Sequence, residues 1–306
     1  MLVEPAELLR LLGLPEGSRV EIEPLSAAPG GSERVAIVTA DGGEQVVFVR
    51  SDTNALRANN NLIVLDSLTR EGFPYSVKLL AMIDDIAIES WPEGASALQL
   101  RAPDGAILAA MRALAVFHAC KIYDGFSWGA PPLSLLPPED LQLHRLGFSS
   151  GEREAAREAL AQGRLFLAAT LFGFCHRQAT AQNVFLGMDS ATLTNFELAG
   201  FGPQLFDVAA FLATCGADAA ARREFATAYA EARGLPAQET ADAADLATIF
   251  WGINELIGLP RRMIEALGDD PLTESLNVSA SRIDRALREA AGNHPLAVAI
   301  RTALWP

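Results

Sequence analysis

The hydrophobic pattern of this chain changes period once, near Trp91-Pro92-Glu93-Gly94, and that change constrains the fold more than any other feature. Ahead of it, apolar residues alternate. Val20 and Ile22 lead into Ala27-Ala28-Pro29-Gly30-Gly31-Ser32, and Val35-Ala36-Ile37-Val38, Asp41-Gly42-Gly43 and Val46-Val47-Phe48-Val49-Arg50 follow. Alternation sends successive side chains to opposite faces of a strand, so the stretch predicts an antiparallel meander with glycine turns. A short helix is expected over 5–13, and a longer one over 54–71, where Leu56, Leu62, Ile63, Leu65 and Leu68 recur at helical spacing. Gly72 and Pro74 stop the longer helix. Val77–Ala81 and Ile86–Glu89 read as two further strands. Residues 1–92 are thus expected to form a small lobe in which 19–90 supply about five strands and one helix.

Behind the joint the period is helical. Helices are expected over Ile107–Ala119 and Glu152–Phe172, and then over 206–214, 219–233, 239–257, 261–267, 279–291 and 295–304. Ala130–Pro138, with Pro131-Pro132 and Pro137-Pro138, reads as a loop. One stretch, 174–202, interrupts the helices with two short strands, Val184-Phe185-Leu186 and Thr192-Leu193-Thr194. The predicted organisation is α+β: a small sheet lobe, a joint, and a larger helical lobe over 93–306 with an embedded hairpin. The cleft between two such lobes is the default ligand site.

Charge narrows the function. The chain has 306 residues and a formal net charge of −14, with half of its residues hydrophobic. A nucleic-acid binder needs a basic face and an anionic membrane repels acid, so neither partner is expected. Cys120, Cys175 and Cys215 are odd in number and form no CxxC pair, which argues against disulfides and structural zinc. The N-terminus has no basic region ahead of an apolar run, and Leu165–Cys175 is too short to span a bilayer. A cytoplasmic location fits. Lysine stands only at Lys78 and Lys121; every other basic residue is arginine.

The chemistry-bearing residues concentrate in one segment. It reads Phe174-Cys175-His176-Arg177-Gln178-Ala179-Thr180-Ala181-Gln182-Asn183-Val184, then Thr194-Asn195-Phe196-Glu197-Leu198-Ala199-Gly200-Phe201-Gly202-Pro203, then Phe206-Asp207-Val208-Ala209. The order and spacing resemble the aminoglycoside phosphotransferase and choline-kinase-like branch of the protein-kinase fold. That family carries His-Gly-Asp, four residues, Asn, a short hairpin, Ile-Asp-Phe-Glu, and a Gly-Pro stretch leading to Asp-Leu-Ala. Upstream, Gly30-Gly31-Ser32 lies where the family has its glycine turn over nucleotide phosphates, and Arg50 ends the third strand where the phosphate-pairing basic residue sits. Glu89-Ser90-Trp91 falls at the hinge that receives adenine, and Phe117-His118-Ala119 resembles the end of the first helix of the large lobe. The resemblance spans about residues 15–260 and implies the two-lobe protein-kinase-like fold, with ATP or another nucleotide as cofactor.

The departures fall on the acids. A phosphotransferase needs a carboxylate beside the acceptor hydroxyl; the family's Asp is here Gln178. The family's second Asp, which holds magnesium, is here Asn195, leaving Asn183 and Asn195 as an all-amide metal site. Magnesium prefers carboxylate oxygen, so that site serves it poorly. Where a glutamate should pair with the strand's basic residue, the helix carries Asn61 within Asn59-Asn60-Asn61. Asp189, in the hairpin turn, and Glu197 are the acids nearest in sequence, and Glu197, which many family members carry beside a normal Asp, reads as structural. His176 reads as a scaffold residue beside the catalytic position, His118 as core, Cys175 as a small core residue and Asp207 as a loop buttress. Gly30-Gly31 serves equally well as a plain hairpin turn. Lys78 lies away from the expected phosphate anchor. These substitutions predict a pseudokinase acting as a module that binds a small molecule or a protein partner. The alternative is a nucleotide-dependent small-molecule phosphotransferase with an unusual active site.

Overall fold

The computed structural model describes residues 4–26, 31–40, 43–52, 55–83, 86–92, 94–98, 104–122, 143–265, 270–289 and 294–305. Gly30 and the proline-rich stretch Ala130–Pro138 lie outside the described residues. Alternation does build the meander: β1 (Arg19–Ser26), β2 (Gly31–Ala40) and β3 (Gly43–Asp52) pair antiparallel in order. Pro24 lies on β1, at the sheet edge, where the register shifts; a residue without an N–H is tolerated there. With β4 (Leu79–Ile83) and β5 (Ile86–Ser90) the sheet has five strands in the order β1-β2-β3-β5-β4.

Period two sorts the two faces of this sheet. Val47, Val49 and Ile88 join Leu8 and Leu9 of α1 (Pro5–Leu11) in a small core. The residues between them, Phe48, Arg50 and Glu89, take the opposite face. Helix α2 (Ala55–Arg70) contributes Val64, Leu65 and Leu68 to the main core.

The large lobe is organised around α3 (Asp104–Phe117), whose buried residues run almost continuously from Ala106 to Phe117. Around it stand α4 (Ser150–Ala169), α5 (Leu205–Thr214), α6 (Ala219–Arg233), α7 (Ala237–Glu265), α8 (Asp270–Glu289) and α9 (Pro295–Leu304). Every residue of α5 is buried. Among the described residues, no helix is long and apolar enough to cross a membrane.

Three expectations need correction. The strand placed at Val77–Ala81 begins at Leu79, because Tyr75–Val77 is drawn into hydrogen bonds with Leu193 of the hairpin. The helix expected to run to Phe172 ends at Ala169, and Phe172–Cys175 forms β7, paired with β10 (Gly200–Pro203). The two helices expected on either side of Pro260 are one, α7, and in that turn Arg262 donates to the carbonyl and carboxylate of Glu255.

Candidate functional site

The hairpin of β8 (Val184–Leu186) and β9 (Ala191–Leu193) is completed by β6 (Ala95–Ser96), the two residues that follow the joint. The joint and the hairpin therefore form one small sheet on the large-lobe side of the cleft. Gly94 makes this possible. Its φ is +89°, and a Cβ there would lie 2.0 Å from the carbonyl oxygen of Leu186.

Between β7 and β8 runs the loop 176–183, held from below by Asp207. This buried carboxylate accepts from the backbone N–H of His176 at 2.6 Å and of Arg177 at 2.7 Å. It also accepts from Nε2 of His118 at 2.9 Å, and the Tyr229 hydroxyl meets the other ring nitrogen at 2.7 Å. Arg177 stands where the family has glycine and adopts φ +66°. Its N–H bond to Asp207 anchors that left-handed turn, which costs a side-chain-bearing residue roughly 1–2 kcal/mol.

His176 is fully buried. Nε2 donates to the Thr194 carbonyl at 2.8 Å, so Nδ1 is the acceptor for the Gln178 N–H. Burial lowers the pKa of this imidazole, which favours the neutral ring that such bonding requires. Burial, reinforced by Asp207, pushes the Cys175 thiol upward, away from nucleophilic thiolate.

Gln178 follows at the rim of the loop, partly exposed, with its carbonyl accepting from Asn183 Nδ2 at 2.9 Å. Across the hairpin, Asn195 adopts φ +63°, a conformation asparagine and aspartate tolerate better than most residues. Its Oδ1 is buried with no hydrogen-bond partner. The structure thus places Gln178, Asn183 and Asn195 around one loop. As a magnesium site this set does not fit: it offers amides without a carboxylate, and one amide is already engaged in the loop. No cluster of three or more His, Cys, Asp or Glu suited to a metal occurs among the described residues.

The asparagine run on α2 has a role the sequence did not disclose. Asn61 Nδ2 donates to Glu89 Oε1 at 2.7 Å, and Asn61 Oδ1 accepts the N–H of Phe196 at 2.9 Å. Asn60 Nδ2 faces three carbonyls, those of Phe196, Glu197 and Ala199. Together they clamp the helix of the small lobe onto the loop that carries Asn195. Glu89, expected beside the adenine, is instead fully buried against Asn61, leaving Oε2 with no hydrogen-bond partner.

Arg50 ends up buried on the cleft side of β3, its guanidinium 5.7 Å from the Phe48 ring centre. Gly31 and Ser32 are the first residues of β2. Trp91 sits at the joint but packs inward. Its ring centre is 4.5 Å from that of Phe48 and 6.2 Å from that of Phe185, and Phe48 and Phe185 are themselves 6.2 Å apart, edge to face. Phe48 and Phe185 were not singled out from sequence, because each looks like an ordinary apolar strand residue.

No family model matches the sequence, and no curated protein matches it. Solved structures do match. A choline/ethanolamine kinase family protein from Mesorhizobium loti superposes with a TM-score of 0.62 at 16% identity, covering 99% of this chain and 100% of that one. The chain has a protein-kinase-like fold. A macrolide 2'-phosphotransferase from Brachybacterium faecium gives 0.58 at 15% identity, covering 90% and 97% of the two chains. A spectinomycin phosphotransferase solved with ADP and spectinomycin gives 0.55 at 10% identity, covering 93% and 98%. The two-lobe α+β architecture expected from sequence is that of these phosphotransferases.

Proposed function

We propose that this protein is a pseudokinase: a phosphotransferase-fold module that binds a small molecule or a protein partner and does not transfer phosphate. The observation that carries the reading is the pair Gln178 and Asn195, amides at the two positions where the chemistry needs carboxylates, with Asn195 Oδ1 buried and unpartnered. Losing a general base costs typically 10²–10⁴ in rate. A neutral amide supplies no charge against a divalent cation. The related folds are phosphotransferases, one of them solved with ADP, so a nucleotide is the ligand class the cleft descends from. A cytoplasmic setting is consistent with three free cysteines.

The competing reading is an ATP-dependent small-molecule phosphotransferase with an unusual active site. It draws on the loop scaffold at Asp207, where two backbone donors and His118 are all satisfied.

The paired substitution Gln178→Asp and Asn195→Asp separates the two readings. Aspartate tolerates the left-handed backbone at 195. Manganese or magnesium alone should raise the melting temperature of the double variant and leave wild type unmoved. A metal at a hundredfold excess over Kd adds about 2.7 kcal/mol of stability. An equal metal-dependent rise in wild type counts against the proposal, because it shows a metal site already present.

A further inference from the structure

We infer that Phe48 and Trp91 occupy the slot between the lobes from within, and that they determine whether the cleft admits a planar ring. This rests on the reading of the cleft as one descended from a nucleotide site. The slot is bounded above by β3, through Phe48, and below by β8, through Phe185. To hold a flat heteroaromatic ring between two faces, those faces must stand about 7 Å apart, twice the optimal non-bonded separation. Here the two bounding rings touch edge to face at a centroid separation of 6.2 Å, and Trp91 covers both. No layer is left for a ligand ring.

The occupant cannot withdraw easily. Phe48 is flanked by Val47 and Val49, both locked into the core under α1, so the strand cannot turn it out. It is 2% exposed. The neighbouring strand is fixed by the Glu89 to Asn61 hydrogen bond, which ties β5 to α2. The lobes cannot simply part either. The helix clamp at Asn60 and Asn61 holds them on one side of the cleft, and the bonds between Tyr75–Val77 and Leu193 hold them on another. Trp91 is the movable member: it is half-buried and lies in the joint itself, outside any strand. Entry of a purine therefore requires Trp91 to leave Phe48 and the half-buried Phe185 ring to turn off its edge contact.

The test is equilibrium binding of adenosine and of ADP, without metal, to the full chain and to Phe48→Ala and Trp91→Ala. Calorimetry reads the affinity, and a circular-dichroism melt confirms that each variant is folded. Both variants are expected to bind adenosine at least tenfold more tightly than wild type. Trp91→Ala alters a partly exposed residue and carries the test if Phe48→Ala does not fold. Unchanged affinity in the folded variants, or no binding in any of the proteins, overturns the inference. A variant that gains adenosine supports this inference, whatever the metal-dependent melt returns for the proposed function. A wild type that binds adenosine as tightly as its variants overturns this inference alone.

Discussion

Asp207 is the residue on which the catalytic-type loop depends. Its two oxygens satisfy the backbone donors of His176 and Arg177 as well as His118 Nε2, all in a buried setting. Truncation leaves those donors without an acceptor. Asp207→Ala should therefore lower stability by about 3–5 kcal/mol, the usual cost of removing one partner from a buried charged network. Asp207→Asn, which keeps one acceptor oxygen, should cost less. Urea unfolding of the two variants measures both, and a loss below about 1 kcal/mol for the alanine variant would show that the loop holds itself. Asp245 makes a second prediction at this scale. Burial raises its pKa from 3.8 to about 6, against the opposing pull of Arg223. The folded protein thus binds this proton more tightly than the unfolded chain, so the contribution is full below about pH 4 and is lost as pH rises through about 6. Asp245→Asn removes that loss. The gap between the urea midpoints of variant and wild type should grow in the variant's favour across this window; a constant gap contradicts the assignment.

At the scale of elements, the joint is the most demanding piece of local structure. β6 pairs with β8 only because Gly94 combines a left-handed backbone with a close approach to Leu186. Gly94→Ala adds a left-handed penalty of about 1–2 kcal/mol and forces the backbones apart. Hydrogen exchange should then show β6 and β8 losing protection while α3 keeps it; unchanged protection in both strands would mean that the approach is not required. Sequence alone indicated the turn but not its partner, because the contact joins residues far apart along the chain. The same limit explains the other differences. Alternation and helical spacing located β1 to β3, α2 and α3 to within a few residues, since those signals are local. β7 and β10 were hidden because each is a short apolar run whose only strand signal is the other strand. Pro260 looked like a break because proline removes a backbone donor, yet α7 runs through it, with Arg262 donating to the Glu255 carbonyl in that turn. Arginine recurs in this capping role: Arg282 donates to the carbonyls of Thr214 and Leu98, and Arg285 to that of Gly216. The planar fork of arginine suits such sites better than lysine does, which gives a structural use for the near-absence of lysine.

Across the whole molecule, the ties between the two lobes include the joint with its small sheet, the contact of Tyr75–Val77 with Leu193, and the asparagine clamp from α2. The chain carries a net charge of −14, yet the positions of the cleft where a phosphotransferase needs acids hold Asn61, Gln178 and Asn195. Glu89, a carboxylate on the cleft side of the small sheet, is bound to Asn61. The amides were legible in the sequence once the spacing of 174–208 was recognised. The aromatic filling of the slot was not, because it depends on which face of β3 meets which face of β8. The proposed pseudokinase keeps this fold without its chemistry. Phosphorus NMR of ATP and magnesium incubated with the 306-residue chain, alone and with amino-alcohol or aminoglycoside acceptors, is the decisive measurement. For a pseudokinase the γ-phosphate signal decays no faster than in a protein-free sample. Decay that scales with wild-type protein concentration and disappears on chelating magnesium would contradict it.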